Sequence, residues 1–311
     1  MNKALYVWFS PNFVKQTGHE IKTVGNPLAT WEESTKLNVG LELGLFDALT
    51  LNVDVYKENR TGIFMQRRSL PSTMGLSGVT PYGNLGEVEN RGVDVSLEYN
   101  KAFNKDLLVS VRGTFTYAHN EVKARDEAKY LPNKYNSVLG KPVNSVYGLV
   151  ADGLFASQEE IDNSPRQTFM PDYLPGDIKY RDINGDGVVD TFDKVAIGYT
   201  TIPEINYGFG ASLNWKGFDI SVFFSGVANT TRIISGFNLF GQASNIKRSG
   251  QIFADVAEKR WTLDNQDPNA PYPRLAMKKV DNNQRASTYW LRDMSFLRLK
   301  NAEIGYTLPR A

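Results

Sequence analysis

The sequence predicts an all-β fold, an antiparallel β-barrel of the transmembrane kind with long extracellular loops. Three observations carry that reading. Apolar and polar residues alternate over runs about as long as the 9–11 residues that cross a bilayer when tilted. The runs come in pairs joined by tight turns. Connections of tens of residues separate the pairs, and compact domains rarely hold such loops unless they are functional. Alternation alone also fits a soluble β-sandwich or a lipocalin-like barrel with the apolar face turned inward. The glycines and charges spread along whole polar faces, together with the loop lengths, favour the membrane.

The first pair starts at Lys36. Leu37, Val39, Leu41, Leu43 and Leu45 share one face, and Lys36, Asn38, Gly40, Glu42 and Gly44 the other. A tight Phe46-Asp-Ala turn leads to Leu49, Leu51, Val53 and Val55, set against Thr50, Asn52, Asp54 and Tyr56. A stretch rich in Gly, Pro and Ser, from Lys57 to Glu87, reads as a loop. The second pair sets Val93, Val95, Leu97 and Tyr99, and then Leu107, Val109, Val111, Phe115 and Tyr117, on one face, with a turn at 101–106. His119 to Ile205 reads as one very long loop. The third pair is Tyr207 to Trp215 and Phe218 to Phe224, turned at Lys216-Gly217. After another long stretch a last strand runs from Phe296 to Leu308. Its parity slips between Leu299 and Ile304, which predicts a β-bulge. Short and long connections thus alternate, as they do in transmembrane barrels with short periplasmic turns and long outer loops. Tyr99, Tyr117, Trp215 and Phe218 are placed near the short turns, where an interfacial aromatic girdle would lie.

The longest loop carries Asp182-Ile-Asn184-Gly-Asp186-Gly187-Val188-Val-Asp190-Thr-Phe-Asp193. Oxygen ligands fall at the first, third, fifth, ninth and twelfth places, and Val188 stands seventh, where a backbone carbonyl serves. This is the spacing of an EF-hand-type calcium loop. The twelfth residue is Asp rather than the longer Glu, and no amphipathic helix follows. The expectation is a structural Ca2+ held by Asp182, Asn184, Asp186, Val188, Asp190 and Asp193; an Asx-rich turn without an ion is the alternative.

Composition excludes several classes. The 311 residues carry 35 Lys and Arg against 34 Asp and Glu, a net charge of +1 that does not suit a nucleic-acid binder. There is no cysteine, so disulfide scaffolds, thiolate metal sites and cysteine nucleophiles are excluded. The opening residues, Met1 to Phe9, do not read as a signal peptide. His19 and His119 stand without a partner at metal or triad spacing and read as exposed or loop-packing residues. Glu159-Glu160 reads as a helix or turn start. Trp261 and Trp290 read as loop packing, with glycan stacking as the alternative. No catalytic constellation is present in the sequence.

Several stretches resemble the SusC/RagA family of TonB-linked outer-membrane transporters. They are Gly140-Lys-Pro-Val-Asn-Ser-Val-Tyr-Gly148 through Ile161, Pro175-Gly-Asp-Ile-Lys-Tyr-Arg-Asp182-Ile-Asn-Gly-Asp-Gly, Tyr207-Gly-Phe-Gly-Ala-Ser-Leu-Asn-Trp-Lys-Gly217-Phe-Asp219, Arg260-Trp261-Thr, Asn269 to Arg274, and Ser295-Phe-Leu-Arg-Leu-Lys-Asn301 through Pro309. They occur in the family's order over nearly the whole chain past Asn26. The resemblance implies a place within a barrel of about 22 strands plugged by a separate domain. Residues 1–311 are then a partial barrel, with 119–205 as its calcium-bearing outer loop, and the chain by itself is expected not to transport. The resemblance further implies import of glycan oligosaccharides or peptides, with no enzyme chemistry. It implies a SusD-like lipoprotein lid, a TonB complex acting through an N-terminal region, outer-membrane lipid around the wall, and a Gram-negative, Bacteroidetes-like envelope. The competing class is a soluble, secreted, calcium-stabilised β-domain that binds carbohydrate; a calcium-stabilised hydrolase is a third.

Overall fold

A computed structural model describes residues 24–70, 81–127, 134–236, 252–276 and 279–308, and besides them 3–6, 15–18, 72–74, 79 and 239. Seven strands form one sheet: β1 (Glu33–Leu45), β2 (Leu49–Gln66), β3 (Tyr82–Asn104), β4 (Leu107–Ala124), β5 (Ile205–Trp215), β6 (Phe218–Ala228) and β7 (Phe296–Tyr306). Their order in space is their order in the chain, and each neighbouring pair is antiparallel. Among the described residues β1 and β7 have no partner on their outer edges, so the sheet is an open arc of a barrel. A separate small ladder pairs Lys3–Tyr6 with Lys15–Gly18.

Side-chain alternation carries across the arc in register. One row reads Leu43, Leu51, Leu97, Gly113, Phe209, Phe224, Leu299 across the seven strands. The next row reads Glu42, Asn52, Ser96, Thr114, Gly208, Ser225, Arg298. The first row faces lipid and the second the lumen, because successive side chains point to opposite faces of a strand. Leu37 is 65% exposed and Ile220 40%, and Val53 and Val95 are only half-buried. A soluble sandwich would bury all four. Among the described residues the buried apolar ones lie elsewhere: apart from Val122 they all fall between Leu149 and Trp290, in the long connections.

The short turns fall at 46–48, 105–106 and 216–217. Phe46 and Asp47 have φ of 57° and 47°, and Lys216 and Gly217 47° and 86°. Paired positive φ values match the right-handed strand twist in tight hairpins. The bulge expected in β7 is present: Phe223 faces Asn301 and Phe224 faces Leu299, which leaves Lys300 as the extra residue. Glycine matters most where an aromatic ring lies on the backbone. A Cβ on Gly92 would meet the Tyr56 ring and hydroxyl at 2.4–2.5 Å, and one on Gly226 would meet the Tyr207 ring at 2.5 Å.

Three sequence boundaries are corrected. The stretch from Lys57 to Glu87 is mostly strand, since β2 runs to Gln66 and β3 begins at Tyr82. Likewise β4 runs past His119 to Ala124, and the turn expected at 101–106 is confined to 105–106. The two at the mouth share one reason. Above the apolar band both faces are wet, so the apolar/polar signal stops while the ladder continues. Lys57 bonds Glu89 at 2.7 Å and Glu58 accepts from Ser34 at 2.6 Å. A kink at Gly62, φ +64°, absorbs the register shift between Arg60 and Ile63. The girdle is corrected as well: Trp215, Phe218 and Tyr99 sit at the short-turn end, but Tyr117 pairs with Ile205 near the mouth.

The face assignment is testable on adjacent residues. Leu41→Arg, on the lipid side of β1, should cost about 2–4 kcal/mol of barrel stability, whereas Glu42→Arg, on the lumen side, should cost little. Urea unfolding of the membrane-inserted protein, read by heat-modifiable electrophoretic mobility, measures both.

Candidate functional site: a folded loop body over the barrel mouth

The described residues of the two longest connections, 125–204 and 229–295, do not run as separate loops. They pack into one body around Leu149, Leu154, Ile178, Tyr180, Val189, Trp261, Ala270 and Trp290. Backbone bonds stitch them together: Leu149 N donates to Ala286 O, Thr288 N to Leu149 O, and Arg274 N to Gly176 O, each at 2.9 Å. Both tryptophans are buried, at 4% and 1% exposure, so they are core residues and are not open to a glycan. Glu159 and Glu160 lie in a short helix, α1 (Gln158–Asp162), capped by Ser157, as a helix start should.

A polar network runs through this core. Asp177 is fully buried, and its Oδ2 accepts from Arg274 Nη2 and Leu174 N, each at 2.8 Å. Its Oδ1 accepts from Asn283 Nδ2 at 2.8 Å. Arg274 Nε lies 2.8 Å from Oδ1 but off the angle of a hydrogen bond, so that contact is ionic only. Gln167 Nε2 donates to Ile178 O at 3.0 Å and to Asn282 Oδ1 at 2.9 Å, and Tyr180 N donates back to Gln167 Oε1. The Tyr180 hydroxyl donates to Asn282 O at 2.7 Å, and burial pushes its pKa well up. Sequence reasoning missed Asp177, Arg274, Asn282 and Asn283. Partners about a hundred positions apart leave no local spacing to detect.

The loop 182–193 sits on the edge of this body. Short ladders hold it on both sides: Val188–Val189 pairs in parallel with Arg166–Gln167, and Val195–Ala196 antiparallel with Tyr147–Gly148. Asp182 accepts from Gly185 N and Gly187 N, Asn184 from Asp186 N, Asp186 from Val188 N, and Asp190 from Phe192 N. Asp193 is buried, and it accepts from Ile183 N, Asn184 N and Asp190 N. The twelfth side chain therefore folds back and closes the loop on itself. Only one turn of 3-10 helix follows Asp190, at Thr191–Asp193, where an EF-hand would begin its second helix. Among the described residues no three acidic or imidazole side chains form a group that could hold a metal ion. The oxygen-only donor set at Asp182, Asn184, Asp186, Asp190 and the Val188 carbonyl suits a hard cation in kind.

Where the body meets the lumen wall there is an open cleft of about 470 Å³. On the wall side it is lined by Glu58, Asn90 and Asn120, cross-strand neighbours on β2, β3 and β4. On the body side it is lined by Val143, Asn144, Ile202 and Glu204. His119 is not isolated: its Nδ1 lies 2.6 Å from Glu204 Oε1, and Asn229 Nδ2 donates to Glu204 Oε2 at 3.2 Å. This triad ties β4 to the ends of both loops. His19 falls outside the described residues.

The family model for TonB dependent receptor-like β-barrels matches residues 4–264. The chain belongs to that family. TonB-dependent receptors are not enzymes, which agrees with the lack of a catalytic constellation in the sequence. TonB-dependent receptor P26 of Formosa agariphila is 28% identical over 96% of the chain and 30% of its own length. TonB-dependent receptor SusC of Bacteroides thetaiotaomicron is 22% identical over 89% and 26%. The solved RagAB peptide transporter superposes over 99% of the chain and 32% of its own, with a TM-score of 0.67 at 23% identity, a likeness of fold. The chain spans about a third of the length of the relatives it matches. The open seven-stranded arc is the matching share of a larger family barrel.

Two predictions concern the body. Asp177→Ala leaves Arg274 without its buried partner and should cost about 3–5 kcal/mol. Limited trypsin digestion should then cut within 140–290, where the parent protein resists. The second is a pH dependence. The Lys179 hydrogen bond holds the Glu160 carboxyl below its usual range. A carboxylate depressed in the folded state stabilises it fully above the ordinary value of about 4.3, and the gain is lost as pH falls through the lowered value. Glu160 is a third exposed, so screening keeps the effect small. The NMR amide signals of 156–164 should be unchanged from pH 8 to 5 and move only below about pH 4, as Glu160 protonates.

Proposed function

We propose that this chain supplies part of the wall and the outer mouth of an outer-membrane importer driven through TonB. The observation that carries the reading is the pairing of a lipid-ready outer face with an inner face that is mostly polar across the seven strands, Leu108 and Phe223 being among the exceptions, capped by a folded body at the mouth. An inner face of Asn, Ser, Thr, Gly and charges suits a wet passage or a polar plug rather than a hydrophobic core. In this reading the cargo is an oligosaccharide or a peptide, a SusD-like lipoprotein closes over the loop body, and other parts of the longer barrel complete the wall. The soluble carbohydrate-binding alternative is disfavoured, because it would bury Leu37 and Ile220 and leave Trp261 or Trp290 open to a sugar. Cells that express the receptor containing this chain as their one route for a labelled cargo should lose uptake when the membrane is de-energised or TonB is removed. Uptake that persists unchanged would sink the proposal.

We further propose that the 182–193 loop takes a structural Ca2+ through Asp182, Asn184, Asp186, Asp190 and the Val188 carbonyl, with Asp193 closing the loop behind it. The ion would fix the edge of the body and perform no chemistry. Raising calcium from chelated levels to about 1 mM, the range of extracellular modules, should raise the thermal midpoint of the body. Asp186→Ala should abolish that rise. An equal midpoint in chelator and in calcium would leave the loop as a plain Asx clip.

A further inference from the structure

The cleft between the lumen wall and the loop body has a lining that selects among cargo classes. We propose that it is a subsite for an extended, uncharged stretch of peptide main chain, an inference that rests on the importer reading above. Three features carry it. First, Asn90 and Asn120 stand side by side on neighbouring strands, about 4.8 Å apart as strands are, and Asn144 comes from the body opposite. Each carboxamide offers two donors and an acceptor, which is the complement of a peptide group. Asn90 makes no side-chain hydrogen bond to the described residues, and Asn120 uses only its oxygen, accepting from Val143 N at 2.8 Å. Their N–H groups are therefore available to carbonyl oxygens of a ligand.

Second, the cleft's carboxylates already have partners inside the protein. Glu58 meets Arg60 at 3.4 Å and Lys36 at 3.8 Å, and Glu204 is held by His119 and Asn229. Neither carboxylate stands free to take a ligand's charge. Third, the remaining lining is aliphatic: Ile63 and Val88 on the wall, Val143 and Ile202 on the body, the last two more than half exposed. These surfaces fit small apolar side chains, which leave an extended chain on alternate sides. Among the described residues no aromatic ring lines the cleft. A pyranose, whose C–H face stacks on rings, finds no platform.

The test uses the detergent-solubilised receptor that contains the whole chain. Two probes are compared by fluorescence polarisation: a labelled decapeptide of Ala, Ser, Val and Gly, and labelled maltoheptaose. Asn90→Leu and Val143→Asp alter cleft side chains that bond nothing else among the described residues and leave the Val143 N bond to Asn120 in place, and heat-modifiable mobility confirms that both variants fold. The expected result is saturable peptide binding, weakened roughly tenfold by each variant, with no binding of the sugar. Peptide affinity unchanged in both variants overturns the subsite, as does sugar binding that the variants weaken. TonB-dependent uptake that continues undiminished in the variants would overturn the subsite while the importer reading stands. Uptake by the parent receptor that persists without TonB or an energised membrane would instead defeat the importer reading itself.

Discussion

Hydrocarbon cannot hydrogen-bond, and the rest of this structure follows from that. Each N–H and C=O that crosses the bilayer must find its partner within the sheet, so every strand pairs along its length with the next. Antiparallel neighbours in chain order satisfy this with the shortest connections, and the arc from β1 to β7 takes that order without exception. The side chains then have one freedom left, the choice of face. Leucine, valine and phenylalanine go toward lipid; asparagine, serine, glycine and charge go toward the lumen. Such a sheet has no core to collapse around. Its stability lies in the ladder and in the match of its outer face to lipid, which is why Leu37 and Leu41 are exposed without being errors.

The loop body answers to the opposite solvent. It stands in water, and it is built like a small soluble domain. Trp290, Phe155, Leu149 and Ile178 are fully buried in it, and Asp177 is matched by Arg274 and Asn283. Ordering two connections of this length carries a conformational entropy cost of about 1–2 kcal/mol per residue. Burial of apolar side chains offsets that cost at about 25 cal/mol per Å², and the polar network fixes which arrangement wins. A buried ion pair adds little net stability by itself, but breaking it leaves a charge stranded. Asp177 therefore acts as a registry pin between segments about a hundred residues apart. It holds the first loop's Leu174–Ile178 turn against the second loop's Arg274 and Asn282–Asn283.

What the sequence made legible follows from the range of each interaction. Period-two alternation is local, so the strands at 37–45, 49–55, 93–99 and 207–224 stand out, and so does the parity slip opposite Phe223 and Phe224. The signal vanished at Lys57–Arg60 because it encodes a difference between two solvents. Where water bathes both faces there is no difference to encode, although the ladder goes on. The oxygen spacing of 182–193 was equally local. Its geometry was not, since Asp193 accepts from Ile183 N and Asp190 N through bonds that spacing does not show. The His119–Glu204 pair and the Asp177 network join positions far apart in the chain. Nothing in either neighbourhood distinguishes those residues from ordinary polar loop residues. Trp261 and Trp290 were legible only as large apolar groups in a loop, and burial was the more economical use for them.

The two regimes meet in one row of residues, the row that lines the proposed subsite. Just above the apolar band, Glu58, Asn90 and Asn120 belong to the sheet by their backbones and to the aqueous mouth by their side chains. The ladder fixes their spacing to that of neighbouring strands, and no loop motion can change it. Opposite them, Val143 and Ile202 are set by a body with its own core. Asn120 fastens that body to the wall through Val143 N, and Glu204 does so through His119 and Asn229. A recognition surface made this way is held by two frames at once. A chain of mobile loops would have to order itself around each cargo and would lose affinity in doing so. Here the ordering was completed when the body folded, and the binding energy of a ligand in the cleft is left for selecting it.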